Sequence, residues 1–581
     1  MGICPLALHT RLLQDLSEQF GVFALDRIER GAPWPGISFK EQAALSIVNS
    51  LTKKWEGSMT ERTKLTALSK FLQVNSDCEN WRLEPETFEP CDDYLLGELR
   101  SYLWKFWHIN NRYPLVDHDY DCLERGEHGP GAAIGSIGGD FYTKLFSSQM
   151  ATTDPNLYFW YRRYIRGFPE WNNAELTRIL SYGEPQVVKG NRLDFVPKND
   201  EVSRSICVEP SLNMFYQLGF ANVLCSRLKS IWGIDLEYQQ FKNRELARRG
   251  SWDGSYVTID LSSASDSISL KMLKWLLPAD FYSRLVKYRS PTAKLPNGRS
   301  IDLHMVSTMG NGYTFPLQTI IFTGIVLSAF RMSGLAPIYP RGVHEGNFGV
   351  NGDDIVVPTV IHRKVLRLLR LLGFTPNKEK TFVEGPFRES CGGDYFNGRN
   401  LRGVYIRKLN EPQDFYAAIN QLNLFSTRTG IRLSHLVRYL LSRVKYRPVP
   451  IWENDDAGVK VPWSLVSHSS RIDKATQSIR YTAWVPRPGP QIRIGDMVLY
   501  TPSKFKPREF NSSGLLLSVL HGSVSPGGIS LIPKVVLYRT KSRIAPNWDT
   551  PAESDIRAVQ LFAGWFVFRR WESSIYFNLY G

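Results

Sequence analysis

Phe348-Gly349-Val350-Asn351-Gly352-Asp353-Asp354-Ile355-Val356-Val357 holds two short apolar runs joined by a polar turn, with Pro358 closing the unit. Asn-Gly is a strong two-residue hairpin signal, and β-branched residues on the downstream side suit a paired strand. The stretch therefore predicts a β-hairpin in a sheet. Its two adjacent aspartates could be turn residues and nothing more. Yet side chains alternate faces along a strand, so one of the pair should point toward the apolar side as the chain enters Ile355-Val356-Val357. A carboxylate placed there without a counter-charge is costly, and a metal ion removes the conflict.

A second acidic strand end lies upstream. Tyr256-Val257-Thr258-Ile259-Asp260-Leu261 has the composition of a buried strand, and it is followed by Ser262-Ser263-Ala264-Ser265-Asp266-Ser267 and a helical pattern over Ile268–Leu277. Ser265 to Ser267 suit the capping of that helix, whereas Asp260 lies too far upstream to cap it. Carboxylates from two neighbouring strands, converging on one end of a sheet, are hard oxygen ligands suited to Mg²⁺ or Mn²⁺ rather than zinc. Two such ions, about 3.5 to 4 Å apart, activate a hydroxyl nucleophile and stabilise a leaving pyrophosphate during in-line phosphoryl transfer. A nuclease uses the same trio, so this chemistry leaves two classes open.

The remaining sequence bounds the setting. A chain of 581 residues predicts several packed lobes, and 43% hydrophobic with 22% charged residues is a globular composition. The formal charge of +15 makes polyanions plausible partners, although a merely basic surface explains it too. Seven scattered cysteines without a C-x-x-C pair favour a reducing cytoplasm over a disulfide or zinc framework. Met1–Thr10 lacks the form of a signal peptide, and the runs Thr319–Phe330 and Ala558–Phe568 are too short for a membrane span and read as core.

Residues 1–110 read as mostly helical. Gly126 to Gly139 reads as a flexible glycine-rich loop, with template contact as the lesser alternative. Tyr158 to Tyr164 reads as a helix with an aromatic core face and a basic outer face. His362–Leu372 reads as an amphipathic helix stopped at Gly373, with its arginines solvated. From 251 to 410 short strands alternate with helices; beyond 410 the chain is helical to about 445 and then Pro-rich and strand-like. The lone histidines, His304 and His344 among them, have no ligand spacing.

Five segments, in order, resemble the RNA-directed RNA polymerase (replicase) subunit of single-stranded RNA bacteriophages, of the Q-beta replicase type. Val196-Pro197-Lys198 with Arg204-Ser205-Ile206-Cys207-Val208-Glu209-Pro210 resembles its basic finger motif. Thr258 to Ser269 resembles polymerase motif A, Met309-Gly310-Asn311-Gly312-Tyr313-Thr314-Phe315 motif B, and Asn351-Gly352-Asp353-Asp354 motif C. Asn377 to Ser390 resembles the stretch that follows. The resemblance covers about 195 to 410 and implies an α+β, right-hand polymerase fold with an antiparallel palm sheet flanked by helices. It divides the chain into a 1–110 helical region bridging fingers and thumb, 111–250 fingers, 251–410 palm, and 411–581 thumb and C-terminal region.

The resemblance also implies roles. Asp260, Asp353 and Asp354 would hold two Mg²⁺ ions (Mn²⁺ as a substitute), and Lys198 and Arg204 would meet the incoming triphosphate. Ser265 and Asp266 would lie near the ribose 2′-hydroxyl, and Gly310 and Asn311 would let the backbone approach template and nucleotide. Lys380, or its neighbour Lys378, would be the general acid. Implied partners are single-stranded RNA template and product, ribonucleoside triphosphates, host elongation factors Tu and Ts and a small-subunit ribosomal protein, with no membrane, in the bacterial cytoplasm. One departure is Asn351, where the family usually has Tyr. A metal-dependent nuclease or a non-catalytic RNA-packaging protein would leave the order of the five segments unexplained.

Overall fold

The computed structural model describes residues 4–21, 36–56, 59–136, 139–199, 201–341, 345–466, 471–473, 475–476, 478–487, 491–493, 511–522, 528–530, 536–545, 548–549 and 565–580. At its centre is an antiparallel sheet of β1 (Tyr256–Ile259), β2 (Gly349–Asn351) and β3 (Asp354–Pro358), in the order β2-β3-β1. Val350 pairs with Ile355, and Ile355 in turn with Ile259, so these three share one face and are fully buried or nearly so. Gly349, Val356 and Thr258 share the other face.

Five helices surround the central sheet: α3 (Gln239–Asp253) and α4 (Thr314–Met332) pack on the sheet itself, and α1 (Asp92–Trp107), α2 (Ser211–Trp232) and α5 (His362–Leu371) pack around α4. A side chain at Gly349 would meet Asn243 and Leu246 of α3, which places α3 over the Gly349 face. The opposite face joins the apolar residues of α4 and α5 in the largest core. α4 has the length and composition to cross a membrane, but it is buried along nearly all of its length and packs on α1, α2 and α5. The expected core run Thr319–Phe330 is therefore the body of a longer core helix. Ala558–Phe568 falls mostly outside the described residues.

Beside the centre, strands Asn191–Pro197, Ser203–Val208, Thr292–Lys294 and Ser300–Asp302 form a four-stranded sheet that packs on helix Glu61–Asn80 through Phe71, Leu193, Cys207 and Met305. A second core joins helices Pro5–Phe20 and Phe39–Ser50 to Pro412–Thr429, Ser434–Leu441 and Trp565–Tyr580. The Asp15 carboxylate accepts from the backbone N–H groups of His435 (2.8 Å) and Leu436 (3.0 Å), capping a helix that lies far away in sequence.

The α+β class and the mostly helical first 110 residues are as expected, and all seven cysteines are free. Several local expectations are corrected. The turn of the central hairpin is Gly352-Asp353, because Asn351 is the last paired residue of β2 and Gly352 alone takes positive φ (63°), the pattern of a type II′ turn. Ser269, not Ser265–Ser267, caps helix Leu270–Leu276, accepting from Lys271 N at 3.2 Å. Among the described residues the glycine-rich segment is packed at its start and middle: a side chain at Gly126 would strike the Phe215 ring, and Ile134 N donates to Glu209 O at 2.9 Å, whereas Gly129 and Gly131 face open space. Arg367 of α5 turns inward and holds the buried Asp92 at 2.6 Å. Helix Glu61–Asn80 escaped the sequence reading because it is polar around most of its surface, and helices Ser512–Leu520 and Trp565–Tyr580 interrupt the expected strand-like end. The reading of Pro155–Ile165 holds, with Leu157, Tyr161 and Ile165 buried. His304 faces Glu79 at 3.5 Å, and His344 lies outside the described residues.

Candidate active site

Register places the acids. One step beyond the Ile355–Ile259 pair, Asp354 stands opposite Asp260 at the open end of the β3–β1 ladder, and it also pairs with Asn351. Directly opposed residues in antiparallel strands project to one face, so both carboxylates lie on the α3 side. Asp353 sits beside them in the turn. That turn is tight: Gly352 N donates to Thr319 Oγ1 of α4 at 3.0 Å, and a Cβ at Gly352 would lie 2.4 Å from the Phe315 ring.

Each acid is held differently. Asp260 Oδ2 accepts from Asn377 Nδ2 at 3.0 Å and lies 3.8 Å from Lys380 Nζ, while its carbonyl accepts from Asn377 N at 2.9 Å. Asp354 Oδ1 accepts from Cys391 N (3.0 Å) and Ser390 Oγ (3.2 Å), at the turn of the hairpin Phe387–Ser390/Gly393–Phe396. Burial pushes the Asp260 carboxyl up; Lys380 and Asn377 pull it back, and Asp354 adds to the rise. Burial also raises Asp353, and the charges of Asp354 and Asp260 add to it.

Half-buried carboxylates that repel one another favour either a proton or a cation among them. Among the described residues no three His, Cys, Asp or Glu side chains stand close enough to form a ready metal cage. Carboxylate oxygens are hard ligands, of which a magnesium ion takes one or two together with waters and substrate phosphates. The donor set fits a divalent ion in kind.

Basic side chains face the acids. Lys198 begins the turn between strands Asn191–Pro197 and Ser203–Val208, with Arg204 opposite Val196. The Lys198 ammonium is held below the usual lysine range by burial and by Arg204, Lys380 and Lys70, against the attraction of Asp260. The structure thus brings Lys198, Arg204, Lys380 and Asp260 into one field. Lys378 has no ion pair among the described residues, so Lys380 is the better placed of the two.

Asp266 is tucked under the loop preceding α4, where its Oδ1 accepts from Met309 N (3.2 Å) and Ser265 Oγ (3.4 Å), and burial pushes its carboxyl up to about 6. Gly310, at φ 123°, lies on strand Ser203–Val208, where a Cβ would stand 2.2 Å from Cys207 O. The missing side chain is thus filled by protein backbone rather than left open for a nucleotide. Asn311 Oδ1 accepts from Tyr313 N at 3.0 Å and its side chain also meets the Tyr313 hydroxyl, Thr308 meets the Cys207 thiol, and the buried Ser307 hydroxyl has no partner among the described residues. An unpartnered buried polar atom is suited to a polar ligand.

Sequence reasoning gave no role to Asn377, Lys70, Ser390, Cys391 or Glu389. Glu389 is a further, half-buried acid, raised by burial and by Asp394, and it feels both Lys380 and Asp260. Asn377, Glu389 and Ser390 lie within the segment that follows motif C, whereas Lys70 and Cys391 carry no spacing that marks them. Asn351 Nδ2 reaches Cys391 Sγ at 3.5 Å, and its buried Oδ1 has no partner among the described residues.

Residues 152–483, a span containing all of these acids, match the family described as RNA replicase, beta-chain. The chain is 31% identical over 436 residues to the RNA-directed RNA polymerase subunit beta of Enterobacteria phage SP, covering 68% of this chain and 73% of that one. It is 45% identical over 267 residues to the RNA-directed RNA polymerase beta chain of Enterobacteria phage fr, covering 44% of this chain and 47% of that one. With the subunit beta of Escherichia virus Qbeta it shares 39% identity over 242 residues, covering 42% of this chain and 39% of that one. Among solved structures, the RNA-dependent RNA polymerase of a human picorbirnavirus is similar at a TM-score of 0.33 and 12% identity, covering 77% of this chain and 90% of that one.

Proposed function

The chain belongs to the RNA replicase beta-chain family, and on that premise we propose how its residues carry out RNA-directed RNA synthesis. It is an RNA-directed RNA polymerase of the single-stranded RNA phage type, acting on an RNA template and ribonucleoside triphosphates. The observation that carries the site assignment is the register that sets Asp260 opposite Asp354 on one sheet face, with Asp353 in the adjoining turn.

Asp260, Asp353 and Asp354 are the residues that would hold two Mg²⁺ ions, or Mn²⁺ in their place; when bound, such ions activate the 3′-hydroxyl and stabilise the departing pyrophosphate. Asn377 fixes the Asp260 carboxylate in orientation, and Ser390 and Cys391 do the same for Asp354. Lys198 and Arg204 neutralise the incoming triphosphate. Lys380, within 3.8 Å of Asp260, stands where a proton donor to the leaving pyrophosphate is needed. Asp266, Ser265 and Asn311 read the ribose: Asp266 accepts from the 2′-hydroxyl, and Asn311 Nδ2 donates to it. Gly310 contributes indirectly, by seating its loop on the strand that follows Lys198.

The division into 1–110 bridge, 111–250 fingers, 251–410 palm and 411–581 thumb and C-terminal region is supported by the first 110 residues, which pack both on the sheet bearing Lys198 and on the helices after 411. Relatives are called subunits or beta chains, which supports assembly with other chains. The proposed companions are host elongation factors Tu and Ts and a small-subunit ribosomal protein, and the proposed location is the cytoplasm of the bacterial host.

The test is incorporation of labelled ribonucleotides on a single-stranded RNA template with Mg²⁺, with and without bacterial elongation factors, comparing the chain with Asp353→Asn. The expected outcome is template-dependent synthesis lost by at least about a thousandfold in the variant. RNA binding without synthesis in any condition would overturn the site assignment.

A further inference from the structure

Outside the carboxylate centre, basic side chains gather around Tyr405. The Lys54 ammonium lies 4.5 Å from the ring centroid and the Arg402 guanidinium 4.9 Å from it. Backbone bonds fix this arrangement: Ile406 N donates to Leu51 O at 2.9 Å and Glu56 N to Arg407 O at 2.6 Å, so residues 51–56 run beside 406–407. Arg402 also meets Asp394, at 3.3 Å. Lys54, Arg204 and Arg407 have no carboxylate in ion-pair reach among the described residues.

A merely solvated basic surface does not account for this cluster. Lys54 is half-buried, and its ammonium is held below the usual lysine range by burial first and then by Arg402, Arg407 and Arg204, against the attraction of Asp394. Arg204 in turn faces Lys198, which faces Lys380 and Asp260. Asp394 and Glu389 lie among these cations, so the basic groups around Tyr405 and those around Lys198 are two neighbouring clusters in which cations outnumber acids. Concentrated donors with fixed geometry and too few acids suit phosphate oxygens, and a ring between two cations holds them in place while blunting their repulsion.

We propose that Lys54 and Arg402, which flank the Tyr405 ring, together with Arg407 on the adjoining backbone, form a phosphate-binding station outside the reaction centre. The station makes residues 51–56 a working part of the enzyme. Its ligand is a phosphate group, carried either by a ribonucleoside triphosphate or by the RNA backbone. The proposal rests on the polymerase assignment.

The test uses the full chain with its required partners and compares Lys54→Ala, Arg407→Ala, Lys54→Arg and, as a charge-matched control, the exposed neighbour Lys53→Ala. One readout is KM and kcat for single-nucleotide incorporation on a primed template. The other is the salt dependence of RNA binding. If the station holds a triphosphate, Lys54→Ala and Arg407→Ala raise KM about tenfold with kcat nearly unchanged and the salt slope intact. If it holds RNA, KM stays while the slope of log K against log salt becomes shallower by about one. Lys54→Arg restores most of the loss in either case, and Lys53→Ala shows neither effect. Folded Lys54→Ala and Arg407→Ala variants with both readouts at wild-type values would overturn the proposal, as would a loss confined to kcat. Should Lys54→Ala fail to fold, the exposed Arg407 decides alone. Failure of the wild type to incorporate nucleotides would count against the polymerase assignment, while the salt slope would still report on the station.

Discussion

Asn377 clamps the end of β1 twice, through its side chain to Asp260 Oδ2 and through its backbone N–H to the Asp260 carbonyl. Removing the amide frees the carboxylate to rotate without deleting an acid. Asn377→Ala is expected to lower incorporation about tenfold to a hundredfold and to raise the Mg²⁺ concentration needed for half-maximal rate, read from a metal titration. Asp266 makes a prediction of the opposite sign from an ordinary ion-paired acid. Its carboxyl ionises at about 6 in the fold against 3.8 in the unfolded chain, so the unfolded state loses its proton first. This group's contribution to stability is full below about pH 4 and is lost as pH rises through about 6, by on the order of 3 kcal/mol. Asp266→Asn should flatten that slope in urea titrations between pH 4 and 7. In activity, the wild type's preference for ribonucleotides over deoxyribonucleotides should weaken as pH falls below about 6, because a protonated Asp266 accepts poorly from a 2′-hydroxyl.

The loop before α4 and the strand Ser203–Val208 act as one element. Cys207 N donates to Met309 O at 2.8 Å, and Gly310 sits directly against Cys207 O. Gly310→Ala adds a methyl group 2.2 Å from that oxygen at a φ of 123°, so the loop must lift from the strand. The expected result is a stability loss of about 2–4 kcal/mol in thermal or urea unfolding, together with a higher KM for ribonucleotides, since Asp266 and Asn311 move with the loop. Unchanged stability would mean that the strand yields instead. The hairpin Phe387–Phe396 is coupled in the same way: its turn supplies both donors to Asp354, so its packing on α3 through Arg244, which donates to Cys391 O at 2.9 Å, reaches the site without touching it.

At the scale of the molecule, the N-terminal region ties two distant parts together. Helix Glu61–Asn80 packs on the sheet carrying Lys198, and Asp15 caps helix Ser434–Leu441. Asp15→Ala leaves two backbone N–H groups without their acceptor at the joint between the first and last parts of the chain. It is expected to cost about 1–3 kcal/mol, seen as a lower thermal midpoint and faster proteolysis near residues 430–436, with the intrinsic chemistry of the site unchanged in single-turnover assays. The polypeptide carries +15, and part of that excess gathers near Asp260 and around Tyr405. Net charge alone could not reveal this arrangement.

The sequence by itself determined the central hairpin and marked Asp260, Asp353 and Asp354 as acids at strand ends, because each is written in local signals: β-branched runs, a turn pair, and carboxylates that burial would penalise. It also carried the family resemblance through five short ordered segments. Only the tertiary structure decided which residue occupies the turn, since Phe315 and Thr319 of α4 crowd Gly352 from outside the hairpin. It alone decided that Ser390 and Cys391 hold Asp354, and that Lys54 meets Tyr405 across the whole length of the intervening chain. Local pattern reports the direction in which a side chain is driven, toward core or water. Which distant residue meets it there depends on packing, and packing is settled by the chain as a whole.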